Sequence, residues 1–88
     1  MNRQRRKDIA DISAELKEAI ETLTEIKDRI ETVRDEEQDY RDNMPESIAD
    51  GEKGAAADEA ITALDEAIDA IESLIDADPC SMLDTAAE

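Results

Sequence analysis

From Ile9 onward apolar residues recur as Ile9, Ile12, Leu16, Ala19, Leu23, Ile26, Ile30 and Val33, followed by Glu37 and Tyr40, in alternating steps of three and four. Such a heptad pattern predicts one long helix, from about residue 6 to residue 42 and on the order of 50 Å in length at the helical rise. A second stripe, Ala57, Ala60, Ile61, Leu64, Ala67, Ile68, Ile71, Leu74 and Ile75, is wider than a coiled-coil seam. It predicts a bundle helix from about 55 to 77, ended by Asp78-Pro79.

Between the two stripes the chain holds both of its glycines and the first of its two prolines. Pro45 pushes Met44 out of the helical region, and Pro45 to Asp50 read as one short helical turn closed by Gly51. The connector, 43–54, is therefore expected to reverse the chain, with Gly51 and Gly54 as its flexible points. Residues 1–78 form a helical hairpin domain in this reading, and 79–88 a mobile C-terminal tail with a docking point at Met82-Leu83.

The fold class expected is thus all-α, an antiparallel helical hairpin. The shorter helix covers the longer one only from about Leu16 to Tyr40, which leaves an N-terminal arm displaying Ile9, Ile12 and Leu16. Two helices cannot bury a four-heptad seam and a wide stripe together, so two hairpins are expected to form a homodimeric four-helix bundle. Its core and dimer residues are Ile9, Ile12, Leu16, Leu23, Ile26, Ile30, Val33, Ile61, Leu64, Ile68, Ile71 and Ile75. A parallel dimer would set Arg29 toward Arg34 of its mate, which favours an antiparallel one.

Composition narrows the chemistry. The 88 residues include no histidine, one cysteine and one aromatic, Tyr40. No internal disulfide, His/Cys zinc site, imidazole-activated nucleophile or Glu-x-x-His di-iron motif can be assembled, and no catalytic residue, metal or cofactor is expected. Asp76 onward begins like a calcium loop, but Pro79 and Ser81 stand at disqualifying positions. No run is long and apolar enough for a membrane span, and the N-terminus lacks a signal-peptide core, which predicts a cytoplasmic protein without membrane contact.

Charge changes the picture most. The net charge is −16, from 26 acids and 10 bases, and residues 54–88 hold ten acids and no base. Direct nucleic-acid binding is disfavoured, since only the tip Arg3, Arg5, Arg6 and Lys7 is basic. The opposite role fits better. Asp58, Glu59, Asp65, Glu66, Asp69, Glu72 and Asp76 line one side of the second helix and are expected to imitate phosphates before a basic partner, such as a nuclease or other nucleic-acid-binding protein.

The middle of the chain, EEQDYRDNMPESIADGEKG, resembles that of small acidic helical-hairpin proteins of phages, prophages and mobile elements, at Glu36, Glu37, Gln38, Tyr40, Asn43, Pro45, Glu46, Ser47, Gly51, Lys53 and Gly54. The resemblance implies a setting, the cytoplasm of a bacterial host. By analogy with other small acidic proteins of such elements, it also implies a DNA-mimic inhibitor of host defence, of anti-CRISPR or anti-restriction type. The alternative is a dimeric adaptor that recruits a phage replication or recombination protein through Ile9, Ile12 and Leu16.

Overall fold

The computed structural model describes residues 2–88, which form four helices, α1 (Arg3–Asp42), α2 (Glu46–Ala49), α3 (Glu52–Asp76) and α4 (Pro79–Ala86). No strand occurs among the described residues. Both α3 and α4 run back along α1, and α2 packs against α3. The result is a rod 68 Å long and about 15 Å across its helix axes.

The spine, α1, is long because nothing within it favours a stop. Good helix formers fill it, no glycine or proline interrupts it, and both ends are capped. At the start the Asn2 side chain accepts from the Arg5 N–H at 2.8 Å. At the end Asn43 Nδ2 donates to the Asp39 carbonyl at 2.8 Å, just before Pro45 forbids continuation.

The corner forms as the Pro-Gly punctuation predicts, with one revision. The amides of Ile48 and Ala49 both donate to the Pro45 carbonyl at 2.9 Å, and Gly51 becomes the N-cap of α3. Gly54, expected as a flexible point, instead lies buried in the first turn of α3, which begins at Glu52 rather than near Ala55. A Cβ on Gly54 would stand 2.6 Å from the carbonyl carbon of Ala49 and closer still to its oxygen. Glycine is there because backbone meets backbone.

The larger revision concerns 79–88. Where a mobile tail is expected, Pro79–Ala86 form α4 against the N-terminal arm of α1. Pro79 denies Asp78 the right-handed helical region, so α3 stops, and Asp78 adopts the left-handed conformation at φ 50. Aspartate tolerates that region better than most residues, and its carboxylate also accepts from the Ser81 N–H at 3.4 Å as the cap of the new helix. Proline at the first helical position then suits α4.

The α4 contact closes over polar atoms as well as apolar ones. Ser13 is buried, and its Oγ donates to Asp84 Oδ1 at 3.0 Å. Cys80 is buried against the Ser13 carbonyl, with Lys17 Nζ 3.6 Å from Asp84 at the rim. Ile9 and Leu16 are thereby half-buried, so the arm is not open as expected; Ile12 alone of the three stays exposed. Of the expected docking pair, Leu83 is half-buried and Met82 exposed.

The core is sparse. Among the described residues Ala57, Ile61, Ile68 and Cys80 are its buried apolar residues, Gly54 and Ser13 are buried beside them, and no large side chain is completely enclosed. On α1 the half-buried line is Ile9, Leu16, Leu23 and Ile30, with Ile20 beside it. On α3 it is Leu64, Ile71 and Ile75. The remaining expected core positions of α1, Ile12, Ile26 and Val33, lie off the line of contact and are exposed. A single antiparallel partner covers only about a third of a helix's circumference, so half of the heptad seam has nothing to pack on.

Candidate functional site

Three ion pairs cross the hairpin along one flank. Lys27 Nζ lies 3.3 Å from Glu72 Oε1, Arg34 Nε 2.9 Å from Asp65 Oδ1, and Arg41 Nε 2.9 Å from Asp58 Oδ1. The bases are spaced by seven residues on α1 and the acids by seven on α3. In an antiparallel pair those spacings superimpose, giving rungs about 10 Å apart. Glu31, one turn along, also reaches Lys27 at 3.8 Å, and Asp35 reaches Arg34 at 3.6 Å.

Each rung holds its cation in the charged form. The hydrogen bond to Glu72 raises the Lys27 ammonium above its ordinary 10.5, and the hydrogen bonds that Arg34 and Arg41 donate to Asp65 and Asp58 raise those two likewise. Partial desolvation opposes each shift and is outweighed.

The ladder revises the expected acidic face. Asp58, Asp65 and Glu72 are neutralised across the hairpin by bases from α1. Glu59, Glu66, Asp69 and Asp76 are left along the outward side of α3, all exposed, with a shallow depression at Glu59, Thr62, Ala63 and Glu66. The outer side of α1 adds acids that the sequence reading did not count in the site. Asp11, Glu18, Glu25 and Asp39 form one exposed line, and Glu21, Asp28, Asp35 and Asp42 a second. Their signal was available as two further heptad positions, both acidic almost throughout.

The flank opposite the ladder is open and apolar. Ile26, Ile30 and Val33 of α1 and Leu64 of α3 line a groove edged by Arg29 and Thr32. Val33 is 51% exposed and Tyr40, one heptad on, 52%. At the free end of the rod Arg3, Arg5, Arg6 and Lys7 are all exposed, and none of them makes an ion pair among the described residues. Among the described residues no helix is long and apolar enough to cross a membrane.

Comparison of the chain with protein-family models, with curated proteins and with solved structures gives no match.

Proposed function

We propose that the protein is a non-enzymatic acidic rod that pairs into a homodimeric four-helix bundle and binds a basic nucleic-acid-binding protein in place of nucleic acid. The observation behind this reading is linear charge density. One chain carries 16 net negative charges over 68 Å. Two rods side by side would carry roughly one per 2 Å, close to the ~1.7 Å of duplex DNA. The exposed acids lie on the outward sides of both helices, where a groove could reach them.

The resemblance in the middle of the chain supplies the setting, a phage or mobile element acting inside a bacterial host. There the partner would be a basic nuclease or other nucleic-acid-binding protein of a defence system, of the kind met by anti-CRISPR or anti-restriction proteins. The adaptor alternative loses ground, because α4 covers most of the N-terminal arm it would use. It retains Ile12 and the open flank, and binding through those would be insensitive to salt.

The test is competition. Basic proteins from a bacterial host that bind duplex DNA are incubated with the immobilised rod, and retention is measured against added duplex DNA and against salt. Retention that falls with both, and is lost when Glu59, Glu66, Asp69 and Asp76 become their amides, supports the reading. Retention unchanged by the amides and by DNA overturns it.

A further inference from the structure

From the open flank we infer that the second copy docks antiparallel along α1, centred on Ile26, with the basic tip of each rod against the acidic corner of the other. The inference rests on the dimer named above and deepens it, since it fixes which surfaces meet and in what direction.

The stripe on the open flank is Arg5, Ile12, Ala19, Ile26, Val33 and Tyr40, each seven residues from the next. Ile12, Ile26, Val33 and Tyr40 are exposed, and their line continues into the groove beside Leu64. A helix as long as α1 offers a strip about 60 Å by 10 Å, so two copies would bury roughly 1,200 Å², the lower bound for a stable interface. The strip is therefore sufficient only if it is used along its whole length.

Full-length contact leaves two directions, and charge separates them. A parallel pairing sets Arg5 beside Arg5 and corner beside corner, like against like at both ends. An antiparallel pairing about Ile26 sets Ile12 against Tyr40 and Ala19 against Val33, matching a smaller side chain to a larger one each time. Arg5 lies about 30 Å from Ile26 along α1, and on the other side α1 ends at Asp42, about 24 Å from Ile26, with Glu46 just beyond it. The same operation thus brings Arg5 and Arg6 alongside Glu46 of the second copy, where Asp39, Asp42, Asp50 and Glu52 add further negative charge. Arg41 is hydrogen-bonded to Asp58 and offsets Asp42 and Asp50 only in part, and with Lys53 as the one further base the corner keeps an excess of acids. The tip and the corner each lack within one chain what the other chain brings.

Two experiments test the direction and register. In a Cys80→Ala background, Ile12→Cys and Tyr40→Cys chains are treated with a short thiol-to-thiol cross-linker, singly and mixed. The antiparallel dimer gives cross-linked dimer only in the mixture; cross-linking of either chain alone marks a parallel dimer and overturns the inference. Independently, sedimentation equilibrium at low salt should show Arg5→Glu with Arg6→Glu weakening the dimer about tenfold, and added Glu46→Arg with Asp50→Arg restoring it. In a parallel dimer the second pair of changes restores nothing, because like still faces like. An unsubstituted chain that sediments as a monomer at micromolar concentration overturns both dimer and direction, while the competition with duplex DNA still decides the basic-partner reading by itself.

Discussion

Replacing Gly54 by alanine sets two effects of known sign against each other. In an unencumbered helix interior the change would stabilise by about 0.8–1.0 kcal/mol, because glycine gives up more backbone freedom. Here the new methyl meets the Ala49 carbonyl carbon at 2.6 Å, so that backbone must retreat by about 0.8 Å or more to reach ordinary contact. Overpacking against rigid neighbours costs about 1–3 kcal/mol, and Ala49 is held in its turn by its own amide, which donates to the Pro45 carbonyl at 2.9 Å. The net expectation is a loss of up to about 2 kcal/mol, or a fall in Tm of up to roughly 16 °C for a domain of this size, measured by circular dichroism at fixed protein concentration. Gly51 is the internal control. Its φ of −102 suits any residue and its added Cβ would stand 3.4 Å from the Ile48 carbonyl oxygen, so Gly51→Ser should stay within about 0.5 kcal/mol of the parent. If Gly54→Ala instead raised Tm by the helix-propensity amount, α2 would not be seated on α3 and the account of the corner would fail.

Asp78→Ala should release α4, since alanine keeps the cost of the left-handed conformation and loses the cap to Ser81; the expected loss is about 1–3 kcal/mol, and the readout is a rise in the labelling rate of the otherwise buried Cys80 thiol. The Lys27 contribution to stability is present in full below pH 10.5 and is lost as pH climbs through the higher value Lys27 has when folded. Thermal melts of the parent between pH 10 and about 12 should therefore fall more steeply than those of Lys27→Gln, and parallel curves would show that the rung contributes nothing.

Most of the architecture was legible because it rests on local rules. The heptads of α1, the stop at Pro45 and the stripe of α3 each follow from spacing and backbone restriction alone, and the ends of α1 and α3 fall within a few residues of expectation. The role of α4 was not legible. Asp78-Pro79 reads as a stop, and that is correct for α3, but nothing local says that Cys80 and Leu83 will find Ile9 and Leu16 on a distant helix. Ser13 was the available hint, a small polar residue beside the seam where a neighbour could approach closely. Gly54 misled for a related reason: its requirement comes from the Ala49 carbonyl across the corner, not from its own dihedral angles. For the acidic face the sequence was read along the chain, whereas neutralisation occurs across it. The sevenfold spacing of Lys27, Arg34 and Arg41 against Asp58, Asp65 and Glu72 was present to be matched, and matching it would have removed three of the seven free carboxylates of the expected site.

That ladder, together with Gly54, Ile61, Ile68 and Ile75 at the same interval, is periodic, and a periodic zip cannot tell one tooth from the next. Sliding α3 by seven residues along α1 would keep two of the three rungs and lay isoleucine where isoleucine had been, so neither the charges nor the core selects the observed alignment strongly. A slide of three or four residues would break every rung, which leaves the sevenfold slip as the competing arrangement. What opposes it is the end stop: a slip of about 10 Å would unravel α2, which fills the corner between Asp42 and Glu52, and would lift Ala49 off Gly54. The corner therefore does for this hairpin what the stop does for a zipper, choosing the first tooth so that all the others can be alike.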